Sequence, residues 1–245
     1  MKIGLFIPCY IDQFYPQVGI AVYRFLKKLD LDLDYPMEQT CCGQPLSNSG
    51  MEKEADKYAV RFQHVFSRYD YVVGPSGSCV LHVRDHFSNL PETFQNESVR
   101  KKTYEFIEFL HDVLKLKRIE AGFPHRVALI HGCHGLRGLR LEASSELKIP
   151  YFSKNIKFLK QVQGIDLINY KQEDECCGFG GTFSIFEETL SAKMGLDKLK
   201  AIQERGAEYV TGNDMSCLMH LEGLSRRENF GLKFIHIAEI LNHPQ

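Results

Sequence analysis

The chain has 245 residues, 44% hydrophobic and 25% charged, with a formal net charge of -1. That length and composition support an ordinary core, so stability does not call for crosslinks. Near-zero charge removes any global attraction to nucleic acid or an anionic membrane, and no run reaches ~18 uninterrupted apolar residues, so no bilayer-spanning helix is expected.

The first residues read MKIGLFIPCYI. No small-residue cleavage site follows and Pro8 and Cys9 interrupt the apolar run, so residues 2–8 predict a buried strand rather than a signal peptide. The cytoplasm, where thiols stay reduced, is the expected compartment. Residues 17–29 and 52–68 carry apolar residues at helical spacing, and 70–74 predicts a second buried strand. Residues 101–117 predict an amphipathic helix, with Phe106, Phe109, Leu110 and Val113 on one side. A turn at 121–125 marks the expected boundary between a first domain, 1–122, and a second, 123–245. Beyond it come a strand at 126–131, a helix at about 188–205, a strand at 208–211 and a last helix at about 235–242. The alternation predicts an α/β protein of two similar domains, each with a small parallel sheet flanked by helices.

Eight cysteines carry the duplication. Cys9, the pair Cys41-Cys42 followed by Gly43, and Cys79 repeat as Cys133, the pair Cys176-Cys177 followed by Gly178, and Cys217. The flanks repeat too: KIGLFIPC matches RVALIHGC, and YDYVVGPSGSC matches AEYVTGNDMSC. His82 and His220 each stand three residues past the final cysteine. In an open parallel sheet, active groups gather beyond the carboxyl ends of the strands, so each set of four predicts one convergent site. Helix N-termini there favour thiolates and anionic groups.

Four thiolates suit a zinc ion or an iron–sulfur cluster. Adjacent cysteines bite poorly on one small ion but reach separate irons, which favours the cluster. Zinc in one or both sites stays open, as does a reactive dithiol. The acidic run Glu173 to Glu175, expected to be exposed, would disfavour a thiolate at Cys176.

The repeated Cys/Cys-Cys-Gly/Cys pattern resembles the duplicated cysteine-rich CCG domain found in heterodisulfide reductases and in the iron–sulfur subunit of glycolate oxidase. By size and local sequence the chain is identified as a member of the lactate-utilization protein A family. The resemblance covers essentially the whole chain. It implies an iron–sulfur oxidoreductase component in the oxidation of L-lactate to pyruvate, acting with a ferredoxin-type iron–sulfur protein and a third lactate-utilization protein. Carried over by position, Cys9, Cys41, Cys42 and Cys79 would bind one iron–sulfur cluster of the four-iron, four-sulfide kind, and Cys133, Cys176, Cys177 and Cys217 a second.

The fuller family motif ends in C-x-x-C, whereas Ser76 and Asp214 hold the earlier position here. That puts in doubt any larger, non-cubane cluster and its disulfide-cleaving chemistry, and leaves four ligands, enough for a cubane. The opposite alignment would make His82 and His220 the replaced ligands. No ferredoxin run and no dinucleotide fingerprint is present, and GFGGTF at 178–183 is already explained by its cysteines. A zinc-stabilised scaffold and a heterodisulfide-reductase-like dithiol enzyme are the rival functions. His131 and His134 flank Cys133 and suit hydrogen bonding or proton handling. Arg137 and Arg140 suit an anionic cluster or a substrate carboxylate, or only a solvated face. Phe14, Tyr15, Phe179 and Phe183 suit either a shield or the core.

Overall fold

A computed structural model describes residues 1–90 and 94–244, without the side chains of residues 88, 89 and 94. Among the described residues, eight strands form two wholly parallel sheets. β1 (Lys2–Leu5), β2 (Asp32–Asp34), β3 (Tyr71–Gly74) and β4 (Thr103–Glu105) stand in the order β2-β1-β3-β4. β5 (Arg126–Leu129), β6 (Asp166–Ile168), β7 (Tyr209–Gly212) and β8 (Lys233–His236) repeat it as β6-β5-β7-β8. Register repeats as well: Ile3 pairs with Tyr71 as Val127 pairs with Tyr209. The expected α/β class with two similar halves is the fold observed.

Two compact units divide the chain, Met1–Leu114 and Lys115–Gln245. The division falls ahead of the expected 122/123 boundary because residues 119–123 pair with 161–163. Ile119 N–H donates to Gln161 Oε1 (3.1 Å), Phe123 N–H to the Gln163 carbonyl (2.8 Å) and Gln163 N–H to the Ala121 carbonyl (2.8 Å).

The helices over 17–29, 52–68 and 188–205 are found at Pro16–Lys27, Glu52–Phe66 and Glu188–Gln203. The segment 101–117 differs. β4 takes Thr103–Glu105, and one turn of helix (Phe106–Glu108) runs into a π-type turn, Phe109–Val113. Residues 105–110 are all buried, Phe106, Ile107, Phe109 and Leu110 fully so, and this stretch has no solvent face; Asp112 and Lys115 beyond it are exposed. The last helix is shortened in the same way, because β8 takes Lys233–His236 and leaves Ile237–Leu241.

Both of these late helices open on a capping box, in which side chain and backbone exchange hydrogen bonds. The Glu105 carboxylate accepts from the Ile107 and Glu108 amides, and Glu108 accepts from Glu105 N–H (3.3 Å). His236 Nδ1 accepts from Ala238 N–H (3.2 Å), and Glu239 accepts from His236 N–H (3.0 Å). In the first half, aromatic rings fill the space behind the sheet. Phe62 meets Phe6 edge-on (centroids 4.9 Å, 87°) and also Phe66 and Phe87, in a cluster that includes Cys42 and Cys79.

Candidate metal centres

In each half the elements carry the cysteines to the carboxyl ends of two central strands. Cys9 opens the helix Cys9–Phe14 just past β1. Cys79 lies in the first turn of Gly77–Asp85 just past β3, where Ser76 Oγ caps the helix by accepting from Cys79 N–H (3.3 Å). Cys41 and Cys42 precede Gly43, which begins a short helix with φ +88°. Gly178 has φ +91° at the same place in the second half. This left-handed backbone lets the amide after each pair turn back: Gly43 N–H and Gly178 N–H lie 3.4 Å from Cys41 Sγ and Cys176 Sγ.

The four sulfurs of each half form a contact chain in one order. Cys9 Sγ is 3.7 Å from Cys41 Sγ, and Cys42 hydrogen-bonds both Cys41 and Cys79. In the second half Cys133 meets Cys176, Cys176 meets Cys177, and Cys177 Sγ is 3.0 Å from Cys217 Sγ. All eight are free thiols; Cys42, Cys79, Cys177 and Cys217 are buried and the other four half-buried.

Crowding decides where charge sits. Cys41 is held well below the ordinary thiol range, first by Cys42 and then Cys9 donating to it, helped by Gly43 N–H. Cys176 is lowered likewise by Cys133, Cys177 and Gly178 N–H. Cys9 and Cys133 are pushed up by donating to those thiolates and by burial. Cys42 and Cys177 are raised by their bonds to both neighbours and by burial. In each quartet the first cysteine of the pair is thus the one whose thiolate is most favoured, and loading a metal would release the remaining protons. The acidic run does not act on Cys176 as expected. Glu173 and Asp174 are half-buried rather than exposed, and the Glu173 carboxylate accepts from Tyr170 N–H (2.9 Å) and faces His131.

The other candidate residues are placed as follows. His82 is buried and stacked on His86 (4.8 Å), and it is the least of the groups that lower the Cys41 pKa. Burial lowers the His220 pKa, and its ring lies 5.9 Å from Phe179. His134 Nδ1 is 3.6 Å from Cys133 Sγ. His131 is buried between Glu142 (2.5 Å) and Glu173 (3.9 Å). Burial opposes its charge, but the two carboxylates outweigh it and hold His131 up to about 9. Arg137 is engaged by Glu146 and the Asp174 carbonyl, and Arg140 is exposed. Phe14 is 67% exposed and is no part of the core, whereas Tyr15, Phe179 and Phe183 are half-buried.

Two polar residues escape the sequence reading. Lys198 is only 5% exposed and Asn213 only 2%. A signal for Lys198 exists: it stands in the buried stripe Ser191, Gly195, Lys198, Leu199 and Ile202 of its helix, where a lysine is out of place.

Among the described residues, no three His, Cys, Asp or Glu side chains close on one point as a ready-made cage for a single ion. The donor set itself, four thiols per half with two of them adjacent, fits an all-cysteine group that takes one sulfur per iron.

A family model for the CCG cysteine-rich domain matches residues 3–84 and again 127–222. Among curated relatives, "Lactate utilization protein A" of Geobacillus sp. (strain WCH70) is 38% identical over 250 residues, covering 99% of each chain. The protein so named from Halalkalibacterium halodurans is 36% identical over 249 residues, covering 100% of this chain and 98% of the other. Among solved structures, a hypothetical protein from Helicobacter pylori matches at TM-score 0.60 and 10% identity. The match covers 98% of this chain and 48% of that one, and it shows a shared fold.

Proposed function

The chain belongs to the lactate utilization protein A family of cysteine-rich proteins, and on that premise we propose that it is the iron–sulfur electron-transfer component of a lactate-oxidising system. It works there with a ferredoxin-type iron–sulfur protein and a third protein, in the cytoplasm. The observation that carries this reading is the repeated thiol quartet at the carboxyl ends of the central strands.

Cys9, Cys41, Cys42 and Cys79 would hold one group, and Cys133, Cys176, Cys177 and Cys217 the other. A four-iron cluster, when bound, supplies one-electron steps with no bond made or broken in the protein. The chain's own part is to fix and shelter. Two thiols of each four are buried, which excludes water from one side, and two are half-buried, which leaves a side open to a partner. Glycine amides at 43 and 178 offer N–H donors to sulfur. Lactate loses two electrons and two protons in becoming pyruvate, and in this reading the electrons pass through these centres to a carrier.

A zinc-holding scaffold is the second reading. The 3.7 Å between Cys9 and Cys41 is near the ~3.8 Å edge of a tetrahedron with ~2.3 Å metal–sulfur bonds. One sample decides: protein purified without air, assayed for iron, sulfide and zinc, then reduced for electron paramagnetic resonance. Iron with matching sulfide and a signal on reduction is expected. Stoichiometric zinc without iron would end the electron-transfer reading.

A further inference from the structure

The two halves place different chemistry behind equivalent cysteines. Equivalence is fixed by contacts at the CCG glycines. A Cβ on Gly43 would lie 3.3 Å from the Ala55 carbonyl and 3.2 Å from Tyr58 Cβ; one on Gly178 would lie 2.5 Å from the Ser191 carbonyl and 3.0 Å from Met194 Cβ. Ala55 therefore matches Ser191, and along the same helices Phe62 matches Lys198. Strand register likewise matches Gly74 to Gly212, and so Pro75 to Asn213.

Phe62 is one ring of an aromatic cluster that includes Cys42 and Cys79. Lys198 is as deeply buried, but its Nζ has only neutral acceptors: the Glu173 carbonyl (3.0 Å), the Gln172 carbonyl (3.4 Å) and Tyr170 Oη (3.5 Å). Among the described residues no carboxylate lies within ion-pair distance of it. The nearby carboxylates are engaged elsewhere. Glu142 and Glu173 flank His131, Asp174 accepts from Ser145 N–H, and Asp214 accepts from Ser216. A buried ammonium is costly unless negative charge offsets it. Burial pulls the Lys198 pKa down, and what opposes it is negative charge on the neighbouring cysteine sulfurs of this half, with Glu175, so a metal-bound set of thiolates would hold the ammonium charged.

Asn213 adds a donor. Its side-chain nitrogen is buried without a partner and faces the turn after Cys133: a Cβ on Gly135 would sit 3.0 Å from Asn213 Nδ2, and one on Gly132 3.8 Å from its Oδ1 and 4.0 Å from Cys217 Sγ. Pro75 has neither a side-chain donor nor an N–H. The histidine that follows the last cysteine is present in both halves, so it does not separate them.

We infer that the second four-cysteine centre is the more easily reduced of the two, with Lys198 as the positioning charge and Asn213 as a supporting donor. This rests on the iron–sulfur reading above. One-electron reduction adds one negative charge to a centre and moves no proton. A positive charge in a low-dielectric setting favours the reduced form, as does hydrogen bonding toward sulfur. The glycine amide and the following histidine serve both centres alike, but the first, backed by rings and a proline, has no counterpart of Lys198 or Asn213.

The test is an anaerobic potentiometric titration of the full, loaded chain, with dithionite as the one-electron reductant and the resonance signal as readout. Wild-type protein should reduce in two steps. Cys177→Ser should abolish the higher-potential step and Cys42→Ser the lower. Lys198→Met, at unchanged iron content, should lower the reduced-to-oxidised ratio of the second centre about tenfold at fixed potential, and Lys198→Arg should largely restore it. Asn213→Leu should move the ratio the same way by less, which keeps the test open if Lys198→Met does not fold. Two centres titrating together, the higher step vanishing in Cys42→Ser, or no shift in either the lysine or the asparagine variant would each overturn the inference and leave the iron–sulfur reading standing. Protein without iron would overturn both.

Discussion

Arg84 grips Glu108 with both arms of its guanidinium, Nη1 to Oε1 at 2.9 Å and Nη2 to Oε2 at 2.7 Å. Its Nε also donates to the Thr103 carbonyl (2.8 Å), so one side chain ties the helix bearing Cys79 to β4 and the capped turn beyond it. Breaking a buried pair costs more than the pair is worth, because the survivor keeps its charge. Glu108→Gln should therefore lower stability by about 3 kcal/mol in urea unfolding at a fixed metal state. The double change Arg84→Met with Glu108→Leu should recover most of that loss. A single-variant loss under ~0.5 kcal/mol would place the pair with ordinary surface bridges.

Gly43 and Gly178 share a left-handed backbone but not the same surroundings. Alanine at either position meets the backbone penalty of about 1–2 kcal/mol. At Gly178 the new methyl would also lie 2.5 Å from the Ser191 carbonyl, against 3.3 Å from the Ala55 carbonyl at Gly43. Gly178→Ala should thus cost more than Gly43→Ala, and it should deplete metal from the second half first. Equal midpoints in parallel denaturant melts would contradict this.

Phe62 touches three other rings, Phe6, Phe66 and Phe87. Phe62→Ala should cost about 3–5 kcal/mol, while Phe62→Leu should cost roughly 1.5 kcal/mol or less. Calorimetry or urea melts of the two variants, compared side by side, check the ratio.

Metal removal should expose the thiols in order of burial. In chelated, reduced protein a short pulse of iodoacetamide should label Cys41 and Cys176 first, being half-buried and held low, then Cys9 and Cys133, and their buried neighbours last, read by peptide mass spectrometry. Loaded protein should protect all eight. Labelling of Cys42 or Cys177 as fast as Cys41 would mean the quartets open freely.

Much of the fold is legible from residues alone where strands are apolar throughout, as in KIGL and YVVG, and where Pro16 starts a helix with a clear buried stripe. The edge strands are not. β2 reads DLD and β6 reads DLI, three residues each, and short half-exposed strands carry no periodic signal. The segment after residue 101 reads as a helix because its apolar residues fall at helical spacing, yet consecutive residues there are all buried. The capping boxes Glu105–Glu108 and His236–Glu239 are a further repeat across the halves, hidden because different residue types make the same bonds. The cysteines are readable because all eight repeat in one order and grouping across the two halves. Lys198 is harder to single out, since the helix stripe that marks it also holds Ser191 and Gly195 and is only weakly apolar.

Among the described residues neither sheet contains a hairpin, so every strand pairing is a distant one. β1 meets β2 across 30 residues and β3 across 68, with no nearer partner to start from. Such distant pairings form slowly. Cys9 and Cys79 are carried on those two strands' far ends, so their sulfurs become neighbours only once β1 and β3 are joined. On the proposed reading, a chain in which β1 and β3 are still apart would offer an inorganic group only the adjacent pair, so a complete set of four thiols would come with the joined sheet.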